Sequence, residues 1–231
     1  MKKTLLLLTV LTLCSTYSAS AQEIDEGQLG AWYMYFVNKK FNNSKFGIQG
    51  DYQFRYWNAG SDLEQILLRT GATYKADDHL LLTLGYASIT SGTFGESTNT
   101  SHENRVYQEA LLSQRVGGRF LLTHRFRYEQ RWVANQDTRT RFRYNLFLNV
   151  PFNKESLERG AVYLALYNEI FINGQRDIGD DRQVEVFDRN RTYVGLGYSL
   201  AANLRVQGGW MKQTTDNWSK GQAQISLHHS L

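Results

Sequence analysis

Between Arg119 and Val150 the chain alternates with a period of two, and that period limits its possible folds more than any other feature. Taken every second residue, one set runs Arg119, Leu121, Thr123, Arg125, Arg127, Glu129, Arg131, and the interleaved set runs Phe120, Leu122, His124, Phe126, Tyr128, Gln130, Trp132. The first set is largely ionic and the second mostly apolar. Arg139, Arg141, Arg143, Asn145 and Asn149 then oppose Phe142, Tyr144, Leu146, Leu148 and Val150, with Phe147 a misfit on the polar side. Successive side chains of a strand leave opposite faces of a sheet, so a period of two means strand. Long strands with one apolar and one charged face suit a barrel wall that has hydrocarbon outside and a polar interior. The expected fold is therefore all-β, a transmembrane antiparallel up-and-down β-barrel.

The first 21 residues read as a secretory signal: Lys2 and Lys3, an apolar run from Leu5 to Leu13, then Ala19-Ser20-Ala21 before Gln22. Residues 22–231 are then one barrel domain, placed in the bacterial outer membrane with its lipids as partners. The apolar run is too short for a spanning helix, which needs about 20 apolar residues. Cys14, the single cysteine, lies within the signal, which leaves the rest without disulfide, thiol nucleophile or Cys-ligated metal. Setting aside Lys2 and Lys3 from the 26 basic residues leaves 24 against 22 acidic ones, a net charge of +2. Arginine and glutamate alternate within the same faces rather than forming a basic surface, which argues against nucleic-acid binding. Aromatic residues make up 13% of the chain, and the single proline, Pro151, ends a candidate strand; both favour strands.

Candidate strands run Leu29 to Lys39, Lys45 to Trp57, Glu64 to Lys75, His79 to Thr90, Glu103 to Arg115, Arg119 to Val133, Arg139 to Val150, Ala161 to Asn173, Phe187 to Leu200, Leu204 to Gln213 and Gly221 to Leu231. These are eleven segments. Bacterial single-chain barrels normally have an even number, which predicts about twelve strands, with about ten as the alternative. A twelfth would lie near Glu23 to Gln28. Tight links at Lys40 to Ser44, Ala76 to Asp78, Val116 to Gly118 and Ala201 to Asn203, and a longer one from Pro151 to Gly160, are expected to be periplasmic. Polar segments at Asn58 to Leu63, Ser91 to His102, Ala134 to Thr138, Gly174 to Val186 and Thr214 to Lys220 are expected outside. On this orientation Trp57, Trp132, Trp210 and Trp218 fall near outer strand ends and are expected to form an interfacial girdle.

Turning each polar face inward fills the lumen with Gln49, Asp51, Gln53 and Arg55, then Gln65 and Arg69. Further along the chain follow Glu103, Arg105 and Glu109, then Arg125, Arg127, Glu129 and Arg131, then Arg141 and Arg143. Tyr167 and Glu169, Arg189 and Arg191, Arg205 and Gln207, and Gln222 and Gln224 complete the set. Two readings fit. Guanidinium and carboxylate groups inside a narrow barrel must pair, because an unpaired buried ion is costly, and a filled lumen would be structural. The same arginines could bind a small anionic solute or a lipid headgroup, since a guanidinium holds carboxylate or phosphate bidentately. A third class, an outer-membrane acyl hydrolase, would need a serine and a histidine together; Ser101 and His102 adjoin, but no GxSxG elbow is present and no catalytic residue is assigned. No cofactor is expected. Nor is a metal, since His228 and His229 are adjacent and point to opposite faces of a strand. A soluble periplasmic barrel is the remaining alternative.

The strand His124-Arg125-Phe126-Arg127-Tyr128-Glu129-Gln130-Arg131, with Trp32, Gln53-Phe54-Arg55 and Arg141-Phe142-Arg143-Tyr144, resembles the exported proteins of the domain of unknown function 2490 family. The resemblance covers most of the chain after the signal. It implies an outer-membrane barrel and brings no activity, ligand or catalytic residue with it.

Overall fold

The computed structural model describes residues 24–95 and 99–231. The signal at residues 1–21 lies outside the described residues. The strands are β1 (Gly30–Lys40), β2 (Phe46–Asn58), β3 (Ser61–Lys75), β4 (Leu80–Gly92), β5 (Thr100–Val116), β6 (Phe120–Val133), β7 (Arg139–Pro151), β8 (Val162–Asn173), β9 (Phe187–Ala201), β10 (Leu204–Thr214) and β11 (Ser219–Ser230). Each pairs with the next, and β1 pairs with β11 to close the barrel.

The eleven strands among the described residues differ from the twelve, or ten, that an even count predicts. They also change the closing pair. In an up-and-down meander every second strand runs the same way, so an odd number brings the first and last together in parallel. The seam runs from Gly30 opposite Gln222 to Asn38 opposite Ser230, and the other ten pairs are antiparallel. The expected extra strand near Glu23 to Gln28 is not formed by residues 24–28. These turn instead, with the Gly27 N–H donating to Asp25 Oδ1 (2.9 Å) and the Gln28 N–H to Asp25 O (3.3 Å); Glu23 lies outside the described residues.

Residues 41–45, 76–79, 117–119, 152–161 and 202–203 connect strands at one end, called here the turn end. Segments 93–99, 134–138, 174–186 and 215–218 connect them at the other, the loop end. The expected outer loop Asn58 to Leu63 contracts to Ala59 and Gly60, with β3 starting at Ser61; Gly60 takes φ 140°, which a side chain would strain.

The outer wall is apolar and uncovered: Leu84 is 60% exposed, Leu196 57% and Phe126 51%, while Arg55, Glu129, Arg141 and Glu169 inside are each at most 5% exposed. This is the inverse of a water-soluble protein. Polar side chains on the outside pair with one another: Tyr86 Oη donates to Asn104 Oδ1 (2.6 Å), and Asn168 Nδ2 to Asn190 Oδ1 (3.0 Å) and Thr192 Oγ1 (2.8 Å).

Three β-bulges interrupt the pairing among the described residues, one where Arg55 and Tyr56 face β3, one where Phe171 and Ile172 face β9 and one where Leu204 and Arg205 face β9. Opposite the first two the register skips Glu64 and Asp188. A bulge inserts one residue and re-aims its side chain. Both carboxylates thereby join the lumen although their positions in the sequence alternate outward.

Candidate functional site

The lumen differs along its axis. Toward the loop end it is filled by ions, most of which pair with one another; buried Arg139 leaves its Nε without a hydrogen-bond partner among the described residues. Glu103 takes Arg105 Nε at 2.6 Å and Arg131 Nε at 2.5 Å. Glu129, 1% exposed, takes Arg141 Nη2 at 2.7 Å and Arg143 Nη1 at 2.6 Å, with Arg105 and Arg127 within 3.8 Å. Asp188 joins Arg141 Nη1 (2.7 Å) and Arg189 Nη2 (3.2 Å). Each of these carboxylates engages two or more guanidinium groups, as burial of ions demands.

The far side of the same end is sealed by the other bulge carboxylate. Trp32 Nε1 donates to Glu64 Oε2 (2.8 Å), and the Arg55 guanidinium lies 3.8 Å from the Trp32 ring centre. Above them Lys220, fully buried, donates through Nζ to the carbonyls of Asp25 (2.7 Å) and Gln28. The expected tryptophan girdle is half corrected here. Trp132 and Trp210 are on the outer wall, 44% exposed each, but Trp57 is 9% exposed, and its ring meets Phe94 at 5.8 Å and Trp218 at 6.0 Å across the mouth. The physical reason is parity: Trp57 shares the inward face of Gln53 and Arg55. Segment 174–186 adds to the cap, with Ile178 buried and accepting the Asp137 N–H (2.9 Å).

Toward the turn end lies a cavity of about 360 Å³. Arg55, Arg69, Arg125, Arg127, Arg143, Arg191 and Arg205 line it, against the carboxylates Asp51, Glu109 and Glu169. Asn38, Asn149, Arg205 and His228, each near the turn end of its strand, carry the cavity to that end. Glu169 binds Arg125 Nη2 and Arg143 Nη2, both at 2.6 Å. Glu109 binds Arg127 and accepts from Gln49 Nε2 at 3.2 Å, and Asp51 binds Arg69 Nη2 at 2.5 Å. Arg191 donates through Nε to Gln213 Oε1 (2.6 Å), and its Nη1 lies 4.0 Å from Glu169 Oε2.

The cavity's other wall is aromatic. Trp32, Tyr163, Ala165, Tyr193 and Met211 form a buried cluster, with Met34, Leu157 and Tyr167 packed on it. Tyr163 fits because β9 offers glycine opposite it: a Cβ on Gly197 would lie 2.1 Å from the Tyr163 ring. Phe147, the misfit of β7, stands edge-on to Tyr167 (5.8 Å) beneath the Arg125 guanidinium (5.2 Å) and so belongs to this wall.

Ser101 and His102 are adjacent on β5 and therefore point to opposite faces, and His102 Nδ1 lies 3.2 Å from Thr90 Oγ1 on the outer wall. Among the described residues no group of three or more His, Cys, Asp or Glu side chains is placed to hold a metal ion.

The family profile described as a protein of unknown function, DUF2490, matches residues 29–224. An uncharacterised protein of Methylorubrum extorquens is 32% identical over 241 residues, covering 100% of this chain and 96% of that one. A solved structure of the NanC porin superposes with a TM-score of 0.52 at 12% identity, covering 88% of this chain and 98% of that one, a likeness of fold.

Proposed function

We propose, for a chain that belongs to the DUF2490 family of proteins of unknown function, that it is an outer-membrane barrel stoppered at its loop end, with a turn-end receptacle for a small anionic solute. The carrying observation is the charge inside the cavity, where seven arginines, Arg55, Arg69, Arg125, Arg127, Arg143, Arg191 and Arg205, meet the carboxylates of Asp51, Glu109 and Glu169. Arginine stays protonated at any physiological pH, so the surplus cannot be relieved by losing protons. It calls for anions from outside the chain.

Membrane placement is supported by the uncovered apolar wall and by the pairing of the polar groups upon it. A band of exposed leucine and phenylalanine is stable against lipid tails and not against water. In hydrocarbon an unpaired polar group costs several kcal/mol, roughly, and the Tyr86–Asn104 and Asn168–Asn190–Thr192 contacts remove that cost. The turn end is then periplasmic, as short turns are in such barrels.

The test is fractionation followed by planar-bilayer recording. The protein is expected with the outer membrane, released only by detergent, and silent in bilayers because the ions around Glu129 close the lumen. Extraction by salt alone would reject the membrane reading, and stepwise conductance would reject the receptacle.

A further inference from the structure

Four guanidinium nitrogens at the cavity have no hydrogen-bond partner among the described residues: Arg69 Nε and Nη1, Arg125 Nε and Arg127 Nη1. Arg69 and Arg127 are 4% and 5% exposed, too deep for bulk water to serve them freely. A buried donor left unsatisfied is costly, and more so when charged. The arginines that hold these atoms belong to one group. Gln49 bonds Glu109, which binds Arg127 and lies 3.8 Å from Arg125, and Gln49 shares the inward face of β2 with Asp51, the partner of Arg69. All line the same cavity.

We propose that Arg69, Arg125 and Arg127 form a clamp for one oxyanion, a carboxylate or phosphate, carried on a small molecule whose apolar body lies against Phe147 and Tyr167. The proposal rests on the receptacle reading and adds its chemistry. The several oxygens of one oxyanion can each accept a charge-assisted hydrogen bond from a different guanidinium, which the single atom of chloride does not match. Arg69 offers Nε and Nη1 singly, because Asp51 holds Nη2, the nitrogen that either two-donor edge of the guanidinium requires; with Arg125 Nε and Arg127 Nη1 they make separate donors on three arginines. The body of the ligand is set by the opposite wall. Arg125 sits over the Phe147 ring at 5.2 Å, and Phe147 adjoins Tyr167, so charge and ring surface meet at one point. A volume of about 360 Å³ is at the small end for ligand sites, room for one compact molecule.

Full-length mature protein in detergent is titrated calorimetrically with phenyl phosphate, inorganic phosphate and benzyl alcohol. Phenyl phosphate is expected to bind one per barrel, at least ten-fold tighter than either of the others. Arg69→Gln is expected to weaken it at least ten-fold, and Phe147→Ala to weaken phenyl phosphate while leaving inorganic phosphate unchanged. Should Arg69→Gln fail to fold, Arg69→Lys keeps the charge and the Asp51 pair but loses the free Nε and Nη1 donors, and the same ten-fold loss is expected. Dihexanoyl phosphatidic acid run in parallel distinguishes the sources: tighter binding than phenyl phosphate assigns a lipid headgroup, weaker binding a free solute, and both require Arg69. Phenyl phosphate bound equally by wild type and the Arg69 variants removes the clamp and leaves the receptacle. No binding of any anion by the folded wild type removes both.

Discussion

The two halves of the lumen are built from the same residues and behave differently. In the loop half Glu103, Glu129 and Asp188 each gather two or more arginines and fill the space, and only Arg139 Nε of the guanidinium nitrogens at that end is left without a hydrogen-bond partner among the described residues. In the turn half Asp51, Glu109 and Glu169 serve a larger set, donors are left over, and a cavity remains. The difference is one of ratio, not of residue type. A lumen becomes a stopper when its carboxylates meet nearly all of its guanidinium donors and a receptacle when several are left over.

The most forceful way to break that comparison is to unbridge the stopper. Glu129→Gln would leave Arg141 and Arg143 with only their outer partners, Asp188 and Glu169, and removing one member of a buried ion pair costs about 3–5 kcal/mol. The folded fraction in urea, read from the gel shift on heating, should fall accordingly; an unchanged midpoint would mean that the loop half is no more ion-dependent than the cavity. A smaller effect probes the turn half, whose wall is held by ring packing. In Gly197→Ala the new Cβ would sit 2.1 Å from the ring of fully buried Tyr163, an overpacking of about 1–3 kcal/mol by the same assay. Insensitivity there would put the stability of the turn half elsewhere.

The smallest effect separates the lumen from its rim. Asp77, in the β3–β4 turn, accepts the N–H groups of His79 (2.7 Å) and Leu80 (2.9 Å), and these bonds hold its carboxyl below the usual range. A depressed folded value means that its contribution is complete above the unfolded value, about 3.9, and is lost as pH falls further through the folded one. Unfolding midpoints between pH 5 and pH 2 should show a slight acid loss that Asp77→Asn removes. Equal acid loss in both proteins would locate it in the buried carboxylates.

Period-two reading carried most of the architecture, because on β5, β6 and β7 nothing disturbs the pleat. The strand-by-strand reading reaches eleven segments, and it is the general evenness of such barrels that points to twelve; local pattern outranked the general rule. Trp57 teaches the same lesson, since its position beside Arg55 aims it inward although tryptophans at strand ends commonly mark an interface. Lys220 was within reach too, on the same face as Gln222 and Gln224. Glu64 and Asp188 were not. A bulge is an extra residue in a pairing, and a single strand's alternation carries no record of its partner's count. The cavity was illegible for a related reason: which arginines share a carboxylate depends on cross-lumen distances that no spacing encodes.

The parallel seam has a geographical consequence. Residue 30 begins β1 at the loop end and residue 230 finishes β11 at the turn end, so the two extremities of this barrel emerge on opposite banks of any layer it crosses. Tags placed before Gly30 and after Leu231 would report different compartments, and no short tether could join them into a circular chain.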